Sequence, residues 1–125
     1  MNKQNKPFRL IIAGGRDFTN YKLLEEKVLS LYESSLKGYE LYIVSGGARG
    51  ADRLGERFAR EHGGVPYLFP AEWDKYGKSA GFRRNQQMAD FADGLLAFWD
   101  GESRGTKHMI NCMEQLGKPV QIVYY

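Results

Sequence analysis

The chain has 125 residues, which suits one domain, and its hydrophobic fraction of 42% and charged fraction of 26% are ordinary for a globular protein. The formal net charge of +3 is mildly basic, which fits attraction to a small anion at least as well as binding to nucleic acid. The single cysteine, Cys112, excludes an internal disulfide and a cysteine-based zinc site, and two histidines give little support to a metal centre.

The sequence also bears on the compartment. No apolar run approaches the roughly 20 residues that a membrane-spanning helix needs. Residues 1–7 are polar and lack the apolar core of a signal peptide. We therefore expect a cytoplasmic protein with no membrane partner, built as one domain over residues 1–125 with a flexible start at residues 1–7.

Short apolar segments alternate with segments of helical periodicity along the chain. Strands are predicted at residues 8–13, 41–44, 65–69, 95–98 and 119–123. Helices are predicted between them, beginning after Asn20 and near Ala51, Arg83 and Met109, while residues 71–81 and 99–106 are predicted as loops. Strict alternation of strand and helix predicts a Rossmann-like three-layer α/β/α domain. We expect its five-stranded, mainly parallel sheet to have the order 3-2-1-4-5.

The strand order predicts where a ligand would bind. In an open α/β sheet, ligands bind beyond the carboxyl ends of the strands, at the point where the order reverses. Here that point lies between the first and fourth strands, and residues 14–18, 45–52 and 99–106 border it. Each of these three loops contains glycine, arginine and an acidic residue. The coincidence predicts a site for a small anionic molecule.

The loop from Ser45 to Asp52 is the sharpest of these signals. Its glycines let backbone N–H groups approach an anion, and the following helix directs its positive N-terminal end to the same place. Arg49 or Arg53 can add a charge-assisted contact to phosphate. The loop matches neither the Walker sequence nor the complete Gly-x-Gly-x-x-Gly fingerprint. A tight strand-to-helix turn without any ligand is the alternative interpretation.

The other two loops leave alternatives open. Arg16 and Asp17 can pair with each other, or Arg16 can hold phosphate while Asp17 binds ribose hydroxyls or a base edge. Ser103 and Thr106 can face a ligand or simply cap the last helix. Arg104 can contact phosphate or remain solvated. Trp99 is either part of the core or a wall of the site.

Residues 73–85 mix aromatic and cationic side chains. One interpretation is a lid that stacks a base on an aromatic ring and clamps phosphate with a cation, and the other is a surface loop packed by its own aromatic residues. The candidates for these two roles are Trp73, Tyr76, Lys78, Arg83 and Arg84.

The last predicted helix carries an apolar stripe. A homo-oligomer interface is one interpretation of this stripe, and a core-facing surface is the other. The stripe consists of Met109, Ile110, Cys112, Met113 and Leu116.

Taken together, these motifs resemble the SLOG superfamily, which includes the DprA (SMF) proteins and the LOG phosphoribohydrolases. Within it, the chain is most similar to the YspA or cpYpsA-related family of bacterial and phage proteins. The stretches that carry the resemblance are residues 14–18, 45–52, 77–81, 84–88, 98–101 and 103–106. The resemblance implies a Rossmann-like fold and a nucleotide-type ligand on the glycine-rich loops. We expect no required cofactor.

The LOG resemblance also bears on catalysis. LOG enzymes hydrolyse the N-glycosidic bond of nucleoside monophosphates with a Pro-Gly-Gly-x-Gly-Thr-x-x-Glu motif, in which the glutamate is catalytic. Gly105 and Thr106 align with the Gly-Thr pair, which puts Met109 at the glutamate position. Methionine cannot act as a general base. The carboxylates that remain as candidates near the crevice are Asp17, Asp52, Asp100 and Glu102.

We therefore expect the chain to bind a nucleotide or a nucleotide-derived small molecule as a sensor, carrier or sequestering module. The alternatives are an N-glycoside or phosphoribosyl hydrolase and, ranked lower, a DprA-like nucleic-acid binder. No metal site is expected. The predicted ligand contacts are Gly14, Gly15, Arg16, Asp17, Ser45, Gly46, Gly47, Arg49, Gly50, Asp52, Lys78, Arg84, Asn85, Ser103, Arg104, Gly105 and Thr106.

Overall fold

The computed structural model describes residues 6–125, in which five strands form one parallel sheet of order β3-β2-β1-β4-β5. The strands are β1 (Lys6–Gly14), β2 (Tyr39–Ser45), β3 (Val65–Leu68), β4 (Gly94–Trp99) and β5 (Val120–Tyr124). The Rossmann-like fold and the strand order are as predicted. Lys6 and Pro7 pair with β2 rather than forming part of a flexible start. The rest of that predicted segment, residues 1–5, lies outside the described part of the chain.

Two helices begin earlier than their apolar periodicity indicates, namely those predicted near Arg83 and near Met109, so that residues 104–106 belong to a helix rather than to the predicted loop. The helices are α1 (Tyr21–Leu31, continued by a π-helical turn at Tyr32–Leu36), α2 (Ala51–His62), α3 (Trp73–Tyr76, followed by a 3-10 turn at Gly77–Ser79), α4 (Ala80–Phe91) and α5 (Arg104–Gln115). Asn20 caps α1 as predicted, since its Oδ1 accepts a hydrogen bond from the Leu23 N–H at 3.1 Å. Residues 71–81 were wrongly predicted as one loop, because the short α3 has a polar, exposed sequence without a recognisable stripe.

The core consists of two layers, one on each face of the sheet. Alternate residues of β1 point to opposite layers: Leu10 and Ile12 pack with α1 and α2, while Ile11 and Ala13 pack with α4 and α5. The apolar stripe of α5 is buried in the second layer, and of its five residues only Leu116 is exposed. The core therefore accounts for the stripe without an oligomer interface.

A set of contacts joins β1 to the start of β4. The Arg9 N–H donates to Asp93 Oδ2 at 2.9 Å, and the Asp93 N–H donates to the Arg9 carbonyl at 2.8 Å. The Arg9 guanidinium also donates to the Phe91 carbonyl and lies 4.7 Å from the centre of the Phe91 ring. These contacts hold β4 beside β1, and so they fix the point at which the strand order reverses. None of the helices within residues 6–125 is long and apolar enough to cross a membrane.

Candidate ligand-binding site

A cleft of about 680 Å³ lies beyond the carboxyl ends of β1 and β4. This volume is within the range of about 300–1,000 Å³ that is usual for small-molecule sites. We call it the central cleft. All three predicted loops and helix α4 contribute to it. Its lining consists of Ala13, Gly14, Gly15, Arg16, Asp17, Ala48, Arg49, Asp52, Arg84, Asn85, Met88, Asp100, Ser103, Gly105, Thr106 and Met109.

Glycines let the loops that form the cleft approach one another closely. A Cβ atom on Gly14 would collide with the Phe98 carbonyl oxygen and lie 2.9 Å from the Ala51 Cβ. Gly15 donates its N–H to the same carbonyl at 3.1 Å and accepts from the Ala51 N–H at 3.3 Å. Gly50 has a φ of +85° and packs against the Gly15 carbonyl, so it joins the two loops without lining the cleft.

Ser45 supports the second loop from inside the protein. The side chain is fully buried, and its hydroxyl donates to Glu56 Oε2 at 2.7 Å. The same oxygen accepts the Gly47 N–H at 3.0 Å. The structure therefore places Ser45 behind the loop rather than among the residues that line the cleft, and Glu56 is its partner. Sequence reasoning missed Glu56, because nothing in its position marks it as facing inward.

Asp52 and Arg84 hold Gly46 from two sides. The Asp52 carboxylate accepts the Ala48 N–H at 3.3 Å, and Arg84 Nη1 donates to the Gly46 carbonyl at 2.5 Å. A Cβ on Gly46 would lie 2.6 Å from Arg84 Nη1 and 3.0 Å from Asp52 Oδ2. Burial raises the pKa of Asp52 to about 6, although the Ala48 N–H and the charge of Arg84 oppose this. Burial likewise lowers the pKa of the Arg84 guanidinium.

Asn85 links α4 to the first turn of α5. Its Nδ2 donates to the Gly105 carbonyl at 3.3 Å and lies 3.1 Å from His108 Nδ1, while its Oδ1 accepts from Arg84 Nε at 3.2 Å. Burial lowers the pKa of His108, which favours the neutral imidazole that can accept a hydrogen bond from the amide. His108 is therefore a half-buried support for Asn85.

Asp100 shapes the loop after β4 while lining the cleft. Its Oδ1 accepts the N–H groups of Glu102 and Ser103, both at 2.8 Å, and these bonds lower the pKa of Asp100. Ser103 is the N-cap residue of α5, but its hydroxyl bonds to Thr106 Oγ1 at 3.2 Å rather than to a backbone N–H. Trp99 belongs to β4, packs against the core and donates to the Ser103 carbonyl.

Two cations that line the cleft, Arg16 and Arg49, differ from Arg84 in their partners. Within residues 6–125, neither Arg16 nor Arg49 forms an ion pair or a side-chain hydrogen bond, so Arg16 does not pair with Asp17. Asp17 instead accepts the Tyr125 hydroxyl at 2.6 Å. Burial and the Asp17 carboxylate raise the pKa of Tyr125. Tyr125 follows β5 without any motif, so no local pattern indicates this contact.

A second cleft of about 620 Å³ adjoins the first, and we call it the side cleft. It shares Arg16, Ala48, Arg49 and Arg84 with the central cleft. The other residues that line it are Gly46, Gly47, Arg53, Leu68, Pro70, Ala71 and Trp73.

Four exposed candidates from the sequence analysis line neither cleft, and they are Lys78, Arg83, Glu102 and Arg104. Lys78 lies in the 3-10 turn before α4, Glu102 lies in the turn that Asp100 organises, and Arg104 is the first residue of α5. Met109, at the position of the LOG glutamate, is buried and is among the residues that line the central cleft.

Two solved structures share this fold. The chain superposes on DNA processing protein A (DprA) from Streptococcus pneumoniae with a TM-score of 0.73 and 19% identity, covering 94% of this chain. It spans only half of that protein, since the match covers 50% of the DprA chain. A structural-genomics target, TM1055, matches with a TM-score of 0.61 and 21% identity over 94% of this chain and 72% of that one. At these identities the likeness shows the fold alone.

Sequence comparison gives the family. The Gene 61 protein of Mycobacterium phage D29 is 36% identical over 118 residues, which cover 90% of this chain and 93% of the phage protein. The family model described as YspA, cpYpsA-related SLOG family matches residues 8–76, a segment that contains the first two glycine-rich loops. The chain therefore belongs to the YspA, cpYpsA-related SLOG family.

Proposed function

We propose that the chain binds a nucleotide or a nucleotide-derived small molecule in the central cleft, as a sensor, carrier or sequestering module. The observation that carries this proposal is the group of three arginines at one cleft. Arg16 and Arg49 have no side-chain partner within residues 6–125, and Arg84 is held in place by the Gly46 carbonyl. Arginine presents a rigid fork of donors that matches phosphate oxygens, so these side chains suit a phosphate group.

The remaining groups suit the rest of a nucleotide. Asp17 and Asp100 line the same cleft, and carboxylates accept hydrogen bonds from ribose hydroxyls or a base edge. The buried Met88 and Met109 supply a polarisable apolar surface beside them. No cofactor is needed for binding of this kind.

Thermal-shift and calorimetric titrations with nucleoside mono- and diphosphates test the proposal. A ligand at about 100 times its Kd should stabilise the protein by about 2.7 kcal/mol. Arg49→Ala should abolish the shift because it removes a phosphate contact. Arg60→Ala is the matched control, since Arg60 is an exposed arginine of α2 that lines neither cleft. Flat titrations across the whole panel, or equal losses in both variants, would contradict the proposal.

A second candidate function is hydrolysis of an N-glycosidic or phosphoribosyl bond, and Asp52 is the observation that favours it. A buried carboxyl group that lines a cleft with a pKa raised to about 6 is suited to proton transfer near neutral pH. Release of free base from a nucleoside monophosphate, lost in Asp52→Asn, would support it. Absence of turnover at high enzyme concentration, with a ligand that binds, would leave binding as the function.

A further inference from the structure

The side cleft differs in chemistry from the central cleft. Asp17, Asp52 and Asp100 line the central cleft, whereas none of the acidic residues within residues 6–125 lines the side cleft. The side cleft instead adds Arg53 and two exposed apolar side chains, Leu68 and Trp73, which are 59% and 52% exposed. A large exposed aromatic ring next to arginines is typical of a surface that stacks a planar, anion-bearing group.

The two clefts meet at the arginines. Arg16, Arg49 and Arg84 line both of them, so a phosphate group bound there would be open to each side. Gly81 brings the indole close to this junction: a Cβ on Gly81 would lie 3.4 Å from Trp73 Cη2 and 3.9 Å from Arg84 Nη2.

Trp73 is better placed for stacking than its neighbour Tyr76. The Tyr76 ring already has the Arg83 guanidinium 4.3 Å and the Lys75 ammonium 5.1 Å from its centre. Within the described residues, no cation or aromatic ring stacks on the Trp73 indole. Its apolar face is thus available to a ligand.

We infer that the ligand of this site is a dinucleotide-type molecule that spans both clefts: one nucleoside in the central cleft, a diphosphate on the shared arginines, and a second base on Trp73. This inference rests on the proposed function and names its ligand class. Three arginines line both clefts, whereas Asp17 and Asp100 line only the central cleft and would repel further phosphates there. That distribution suits one short diphosphate rather than a continuous nucleic-acid backbone.

Calorimetry with a nucleoside monophosphate and with the symmetric dinucleoside diphosphate of the same base tests the inference. The dinucleotide should bind about tenfold or more tightly than the monophosphate, because stacking adds to the phosphate contacts. Trp73→Ala should remove this advantage without changing the affinity for the monophosphate, and Trp73→Phe should keep most of it. Tyr39→Ala is the control, since Tyr39 is an exposed aromatic residue at the opposite end of the sheet.

The outcomes separate this inference from the proposed function. Equal affinities for the two ligands, both indifferent to Trp73→Ala, would overturn the dinucleotide inference and leave nucleotide binding intact. Loss of monophosphate binding in Trp73→Ala would also overturn it, because it would place the single nucleotide in the side cleft. Failure of both ligands to bind the unaltered protein would overturn the proposed function as well. Affinity for oligonucleotides that rises with length and falls steeply with salt would assign the clefts to nucleic acid instead.

Discussion

Arginine side chains occur in two contrasting surroundings in this protein. Arg57 lies on the outer face of α2, and other arginines line the clefts. Arg57 Nε lies 2.8 Å from Glu61 Oε2, and its guanidinium lies 3.8 Å from the centre of the Tyr21 ring. Tyr21 in turn donates to Glu61 Oε1 at 2.8 Å. Arg16 and Arg49 have no comparable partners within residues 6–125, although they lie beside a concave surface.

The outer face also explains why proximity of ionisable groups is weak evidence for a site. Glu25, Glu61 and His62 lie close enough together to hold a cation. His62 Nε2 is already 2.7 Å from Glu25 Oε2, however, and Glu61 is engaged by Arg57 and Tyr21. The groups of this cluster satisfy one another, whereas Arg16 and Arg49 at the clefts have no side-chain partner in the described part of the chain. Unmet hydrogen-bonding capacity, rather than charge density, distinguishes the two regions.

The largest expected effect tests whether backbone contacts build the cleft. Gly14→Ala should destabilise the protein by about 3 kcal/mol or more, because the new methyl group meets the Phe98 carbonyl and the Ala51 side chain. Chemical denaturation measures the loss. Gly105→Ala is the control: nothing lies within 4 Å of its Cβ position in the first turn of α5, so it should be neutral or slightly stabilising. Equal losses in both variants would show that the close approach at Gly14 is unimportant.

Asp52 should make stability depend on pH in a direction opposite to that of a salt-bridged carboxylate. Its pKa rises from 3.8 to about 6 on folding, so the folded state holds the proton more tightly. The contribution of Asp52 to the free energy of unfolding therefore falls by up to about 3 kcal/mol as pH rises from about 4 to about 6. Asp52→Asn should remove this pH dependence. The free energy of unfolding of the variant, relative to that of the parent, should therefore increase over the same pH interval. Parallel stability curves for the two proteins would refute the expectation.

A smaller effect is expected at the contact between Tyr125 and Asp17. Tyr125→Phe removes the hydroxyl that holds Asp17 Oδ1 but keeps the ring on Phe18. Affinity for the nucleotide should fall about threefold, since one hydrogen bond that orients a ligand group contributes about 0.5–1.5 kcal/mol. Titration calorimetry at constant pH measures this change. An unchanged affinity would mean that Asp17 does not contact the ligand.

The smallest effect should come from the outer face. Arg57→Ala breaks an exposed ion pair, which contributes little in water, and should leave ligand affinity unchanged. A melting curve and a titration on the same preparation measure both properties. If Arg57→Ala lowered ligand affinity as much as Arg49→Ala does, the proposed difference between paired and unpaired arginines would be wrong.

The sequence was sufficient for the architecture because its patterns are local. Buried strands, glycines at the strand ends and the alternation of strand with helix each occupy a few consecutive residues, and the handedness of crossovers then leaves few sheet orders. The reversal point between β1 and β4 followed directly, and residues of all three predicted loops line the central cleft.

The details of the site depend on contacts that no local pattern records. Ser45 faces Glu56 rather than solvent, and Tyr125 reaches Asp17 from the far end of the chain. The side cleft was not predicted because it combines the exposed Leu68, the last residue of a short edge strand, with Trp73 on a four-residue helix. Only the fold brings them beside the arginines.

The pairing of β1 with β4 has a consequence for how the protein folds. Arg9 and Asp93, which join these strands, are 84 residues apart, so a long loop must close before the two strands meet. Contacts between residues so far apart in the sequence form slowly, because the chain loses the entropy of loop closure before the contacts stabilise the structure. We therefore expect β1, β2 and β3 to associate first and the central cleft to be completed only when β4 docks. A ligand that needs both sides of this cleft would bind only chains that have passed this step, so binding would measure the fraction of fully folded protein.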